Sequence, residues 1–207
     1  VFLCQPNNPT GQVTPPALVE RLIGRCADCG AVLVVDECFL DFLPDRDALT
    51  AERFLNDAPK LVILKAFTKL YAMAGVRLGY ALCSDTALLA SMQAAGQPWA
   101  VSGLAQAAGL AALQESAYAE EVRALIEAER PRLVAGLRAL GLYVIEGRAN
   151  YLLFRAPVDF GEKLRQHGAV VRSCGNYPGL DDGWYRTAVR TAEENTKLLA
   201  IMKEVLA

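Results

Sequence analysis

With 207 residues, 53% of them apolar, the chain can bury the core of one large domain or of a domain and a half. Its 21 basic and 23 acidic residues leave a net charge of −2, which offers no basic face to nucleic acid, and no apolar run approaches the length of a membrane span. The six cysteines are scattered and there is a single histidine, so Cys26 and Cys29 in CxxC spacing read as reduced thiols of a cytoplasmic protein; no metal site is expected.

Residues 1–4 form a short apolar strand of interior character, without an initiator methionine or signal-peptide pattern, and read as a chain missing its beginning. Residues 5–11, Gln-Pro-Asn-Asn-Pro-Thr-Gly, are a rigid loop. Thr14 and Pro15 predict a helix start, cap followed by first-turn proline. Leu18, Leu22, Ile23 and Cys26 share a face of that helix, and Gly30 ends it. Residues 31–35 are a continuous apolar run, the pattern of a parallel strand covered on both sides. The run ends in Asp36 and Glu37, where open α/β sheets bind ligands. Charges simply leaving the core are the alternative there.

A short helix is predicted near 52–56, a strand over 60–64, and another strand ending at Cys83. Asp85 caps a helix to about Ala95, residues 96–99 break it, and long helices follow over 104–115 and 118–140. Pro131 should kink or restart the second of these. Beyond Gly141, strands over 142–145, 151–154, 169–171 and 185–189 with a helix at 160–166 describe a small α+β domain. Thr191 and Glu194 form a capping box for the last helix, and His167 reads as a solvated helix end.

Between the strands at 61–64 and 80–82 lie Lys69 and Arg77, eight residues apart. A lysine brought out of water loses its proton readily and becomes a nucleophile toward carbonyls, and a nearby arginine can hold an oxyanion with two hydrogen bonds. The pair suggests an imine-forming lysine beside a phosphate site, against the alternative of ordinary surface charges flanking a strand. Asn8 follows the first strand and Asp36 ends the next; if these strands are neighbours, Asn8, Asp36, Lys69 and Arg77 gather at one sheet edge. A pyridine ring bearing an aldehyde, a phenolic oxygen and a phosphate would use that set. Asp36 would serve the ring nitrogen, Asn8 the ring oxygen, Lys69 the aldehyde and Arg77 the phosphate, which is the chemistry of pyridoxal 5'-phosphate.

Asn8-Pro9-Thr10-Gly11, Asp36-Glu37, and Thr68-Lys69 with Arg77-Leu78-Gly79-Tyr80 resemble the signature of fold-type I pyridoxal-phosphate enzymes, the aspartate-aminotransferase superfamily. Residues 36–42, 97–101, 147–153 and 171–181 are similar to the threonine-phosphate decarboxylase branch, a near relative of histidinol-phosphate aminotransferase. The resemblance implies an α/β fold with a mainly parallel sheet. Residues 1–115 would be the carboxyl-terminal part of the large cofactor domain, and residues 116–207 an interdomain helix and small domain. It implies that Lys69 bonds the cofactor, Asp36 pairs with the ring nitrogen, Asn8 contacts the ring oxygen and Arg77 the phosphate. Arg186 would hold the substrate carboxylate, Arg172 would serve the phosphorylated end, and Asn8 would also contact the substrate; surface charge near strands is the bland alternative for the two arginines.

The implied activity is decarboxylation of L-threonine O-3-phosphate to (R)-1-amino-2-propanol phosphate in cobalamin biosynthesis. Amino transfer of the histidinol-phosphate type is the runner-up, and a non-catalytic or regulatory relative the rival from another class. Implied partners are a phosphorylated amino acid and, at full length, a second copy in a homodimer. Two positions depart from many superfamily members: Phe39 stands where a tyrosine often donates to the ring oxygen, and Ala66 where a serine often reaches the phosphate. Losing that hydroxyl should cost about 1.5–3 kcal/mol of cofactor binding.

Overall fold

The computed structural model describes residues 1–207 and divides them into two compact units. The first comprises Val1–Asn7 and Val13–Glu121, the second Asn8–Gln12 and Val122–Ala207.

In the first unit, strands β1 (Phe2–Cys4), β2 (Leu33–Asp36), β3 (Leu61–Ala66) and β4 (Gly79–Leu82) form one sheet in that order. β1, β2 and β3 run parallel and β4 antiparallel, so the sheet is mixed and mostly parallel, as the apolar runs predict. Helix α1 (Pro16–Asp28) buries Val19 and Cys26 in the core built on Leu33, Val35, Leu61 and Ile63. Gly30, at φ +69°, ends it in a conformation that suits glycine.

The predicted start of α1 is off by one residue: Pro15 is the cap and Pro16 the first helical residue. Thr14 is engaged elsewhere. Its N–H donates to Gln5 Oε1 at 2.8 Å and its carbonyl accepts from Gln5 Nε2 at 2.9 Å. The buried Gln5 side chain thereby spans the intervening loop.

Between β2 and β3 come α2 (Arg46–Leu49) and a 3-10 turn over Ala51–Phe54, where a short helix was predicted slightly later in the chain. A single turn, α3 (Phe67–Leu70), follows β3. α4 (Thr86–Ala95) is capped by Asp85, whose Oδ1 accepts from Ala87 and Leu88 N–H; α5 (Gly103–Ala112) is capped by Ser102.

Helix α6 (Ser116–Ala139) carries the chain into the second unit and continues past Pro131, so of the two outcomes expected there, a kink or a restart, the restart does not occur. Packing outweighs the missing N–H here: Leu133 and Leu137 are buried beyond the proline. On its other side the buried Glu129 accepts from Asn195 Nδ2 at 3.1 Å.

The second sheet has the order β5 (Tyr143–Val144), β6 (Tyr151–Arg155), β8 (Trp184–Ala188), β7 (Arg172–Ser173), all antiparallel. Phe154, Phe160 and Tyr185 pack edge to face and tilted, with centroids 5.8–6.3 Å apart, and join the sheet to α7 (Phe160–Gln166). The strand predicted at 169–171 lies later: Ala169 and Val171 are buried, but only Arg172 and Ser173 find ladder partners on β8. α8 (Ala192–Leu206) begins at the predicted capping box of Thr191 and Glu194.

Candidate active site

The carboxyl ends of the parallel strands β1, β2 and β3 share one edge of the first sheet, and the connection from β3 to β4 leaves from it. Asp36, the last residue of β2, stands there half-buried. Its Oδ1 accepts from the Cys38 N–H at 3.0 Å, and its Oδ2 lies 3.8 Å from Cys4 Sγ. Burial pushes the Cys38 thiol up, and its hydrogen bond to Asp36 and that residue's charge add to the rise, to about 12. Cys38 therefore remains a protonated donor that holds the carboxylate in place. Its alkylation by iodoacetamide at pH 8 should run on the order of a thousandfold slower than that of a free cysteine. Peptide mass spectrometry against the exposed Cys29 checks this; equal rates would show that Asp36 does not hold the thiol.

Lys69 occupies the single turn α3, whose Phe67 and Leu70 face inward while Lys69 faces out. Phe67 stacks on Tyr71 at 5.4 Å and Tyr71 on Tyr118 at 6.4 Å, an aromatic underside that anchors the turn. The Lys69 ammonium sits 5.1 Å from the centre of the Phe39 ring, and its charge, like that of Asp36, acts on Cys38. Asp36, Phe39 and Lys69 thus share one neighbourhood.

Arg77 lies in the same connection, exposed, with its guanidinium donating to the Ala74 carbonyl at 3.1 Å. The connection is closed at its base by the Phe67 N–H donating to the Leu78 carbonyl. Both Ala72 (φ +53°) and Arg77 (φ +59°) are left-handed, an uncommon conformation for non-glycine residues that carries a backbone cost.

Four residues before Lys69, a second lysine has a different environment. Lys65 is part of β3 and its side chain is only 6% exposed, so the strand extends beyond the predicted end at Leu64. Its ammonium meets Glu37 Oε2 at 2.9 Å, Asp41 at 3.3 Å and Glu52 at 3.4 Å. Glu37 is fully buried and also accepts from Thr50 Oγ1 at 2.8 Å and the Ala51 N–H at 2.7 Å. Burial alone would push Lys65 down, but Glu37, then Asp41 and Glu52, hold it above the usual lysine value. Of the adjacent carboxylates Asp36 and Glu37, the first faces the sheet edge and the second is structural.

The second unit holds the remaining predicted site residues. Arg172 and Arg186 are opposite each other across the β7–β8 ladder, and neither meets a carboxylate. Like charges facing across strands are unfavourable unless an anion joins them. Arg172 donates to Asn176 Oδ1 at 3.3 Å, whereas Arg186 lies 5.0 Å from the centre of the Tyr151 ring and donates to Asn8 Oδ1.

Asn8 is carried by residues 8–12, which belong to this unit. Gly11, at φ +71°, accepts from the Arg148 N–H at 2.6 Å, and a Cβ on Gly147 would come within 2.4 Å of the Thr10 carbonyl. That close approach is why Gly147 is a glycine.

The aminotransferase class I and II family matches residues 1–202. The chain belongs to that family. It is 40% identical over its whole length to the threonine-phosphate decarboxylase of Salmonella typhimurium, covering 57% of that protein. It is 37% identical to the histidinol-phosphate aminotransferase of Symbiobacterium thermophilum, again over its whole length, covering 56% of it. The histidinol-phosphate aminotransferase of Sinorhizobium meliloti, solved in complex with pyridoxal-5'-phosphate, superposes with a TM-score of 0.84 at 26% identity, covering all of this chain and 56% of that one. The chain therefore spans a little over half the length of the family relatives it matches.

Within this family fold, the first unit brings together Asp36 and Lys69 with Arg77 in the same connection, and the second brings together Asn8, Arg172 and Arg186. Two features escaped the sequence reading. Tyr177 donates to Asn8 Oδ1 at 3.3 Å across 169 residues of chain, and no local signal announces it. The burial of Lys65 had a faint one, a lysine continuing an apolar run.

Proposed function

We propose that the full-length protein is a pyridoxal-phosphate enzyme that decarboxylates L-threonine O-3-phosphate. The observation that carries this reading is the cross-strand pair Arg172 and Arg186, two guanidiniums without carboxylate partners. A substrate with both a carboxylate and a phosphate satisfies them together. The similarity to a threonine-phosphate decarboxylase agrees with it.

The first unit's donor set fits the cofactor by its chemistry. Asp36 is a fixed carboxylate for a cationic ring nitrogen, Lys69 an exposed amine for the aldehyde, and Arg77 an exposed guanidinium for the phosphate. In the second unit Asn8 offers an amide to the ring oxygen. Phe39 gives Lys69 an apolar aromatic face but no second donor for that oxygen. When bound, pyridoxal phosphate supplies an electron sink for the pair released at the substrate's Cα.

The protein's residues decide which bond at Cα gives up that pair. Arg186 grips the carboxylate and Arg172 the phosphate, so the substrate is held at two points and its rotation about Cα is set. Lys69, an exposed amine beside the Phe39 ring, would be the proton carrier that returns a proton to the substrate's Cα once carbon dioxide has left. The product is then an amino alcohol phosphate.

The similarity to histidinol-phosphate aminotransferases supports a second reading, amino transfer to a keto acid. Full-length protein given pyridoxal phosphate and O-phospho-L-threonine separates the two. Carbon dioxide release without any acceptor acid is expected; amino transfer without carbon dioxide would move the protein to the aminotransferase branch. Absence of both, with the cofactor bound, would refute the substrate.

A further inference from the structure

We propose that Tyr177 is a positioning residue that locks the orientation of Asn8, an inference that rests on the reading of Asn8 as a cofactor contact. An amide oxygen has two lone pairs, and both of those on Asn8 Oδ1 are engaged, by Arg186 and by the Tyr177 hydroxyl at 3.3 Å. Turning the amide over would aim its NH2 at a guanidinium, donor against donor, so the orientation is determined. Asn8 Nδ2 has no acceptor within the protein, and its two N–H groups are left for a ligand oxygen.

Arg186 has a second task in this reading, because its remaining N–H groups would hold the substrate carboxylate. Tyr177 carries no charge and has no such second task. Its loop is rigid. The Cys174 N–H donates to the Trp184 carbonyl at 2.8 Å, the Tyr177 N–H to Cys174 at 3.0 Å and the Leu180 N–H to Tyr177 at 3.0 Å. A Cβ on Gly175 would come within 2.4 Å of Asp182 Oδ1, so the loop also packs closely on the strand entry behind it. The neighbouring Asn176 accepts from Arg172, which places the two polar arms of the site on consecutive loop residues.

The test uses full-length protein reconstituted with pyridoxal phosphate, and reads the cofactor's dissociation constant and the pH midpoint of its visible absorbance. Tyr177→Phe keeps the ring and removes only the hydroxyl. It should weaken cofactor binding about two- to tenfold, the worth of one neutral hydrogen bond. It should also move the midpoint in the same direction as Asn8→Ala, by a smaller amount. Asn176→Ala should leave the midpoint where it is. A silent Tyr177→Phe beside an effective Asn8→Ala would overturn the positioning role alone. Equal shifts from Tyr177→Phe and Asn176→Ala would replace it with general loosening of the loop. A silent Asn8→Ala would overturn the reading of Asn8 and this inference with it.

Discussion

Replacing Lys69 by alanine should abolish turnover while leaving the fold intact. The side chain is exposed, its turn is held by Phe67 and Leu70, and it makes no ion pair. Its removal should change unfolding free energy by less than about 0.5 kcal/mol. The chemical loss is of another order. The proton-transfer share alone is about 10²- to 10⁴-fold in rate, and loss of the covalent attachment adds to it. Borohydride reduction of wild-type holoprotein followed by peptide mass spectrometry should find the cofactor on the peptide containing Lys69. Finding it on Lys65, or retaining full activity in Lys69→Ala, would refute the assignment.

Lys65→Met should do the opposite and destabilise the first unit before it touches the chemistry. It leaves Glu37 fully buried, still hydrogen-bonded to Thr50 and Ala51 but without its cation. Breaking a buried pair from one side costs about 3–5 kcal/mol, a large part of a domain's stability. Replacing both partners with apolar residues of similar volume should recover part of that loss, less about 1–3 kcal/mol for leaving the buried Ala51 N–H without its acceptor. Denaturant midpoints of Lys65→Met and of Glu37→Leu with Lys65→Met measure both effects; equal midpoints would sink the argument.

The pH dependence has a definite sign. Lys65 is held above the ordinary lysine value in the folded chain, so the pair's contribution is fully present below that value. It is lost as pH rises past the ordinary value and through the raised one. The wild type should therefore lose stability in strong alkali more steeply than the double apolar variant, as urea titrations on either side of the ordinary lysine value can show.

The contrast between these two lysines, four residues apart, separates what is local from what is not. Lys69 is legible as a candidate because its neighbours in sequence mark it: an apolar strand before it, Arg77 after it, and the motif both complete. Asp36 is legible for the same reason, as the end of a buried run. So are the strands themselves, the Asp85 cap and the capping box at Thr191, since each depends on residues within a few positions. Asn8 and Arg186 were each legible as candidates, yet the hydrogen bonds that join Asn8 to Arg186 and Tyr177 were not, because those residues stand 178 and 169 residues further on.

By itself the sequence determined the family, the mostly parallel sheet and the polar side chains offered at its edge, all written in short-range pattern. Tertiary structure alone decided how each charge is used. Glu37 and Asp36 are chain neighbours with similar side chains, but strand alternation turns the first into the core, where Lys65 meets it from 28 residues away. Arg172 and Arg186 face each other only because β7 and β8 pair in that register. Pro131 reads as a break but sits in a continuous helix, because buried side chains on both sides outweigh one absent hydrogen bond. Burial and pairing are properties of contacts, and contacts between distant residues exist only once the chain has folded.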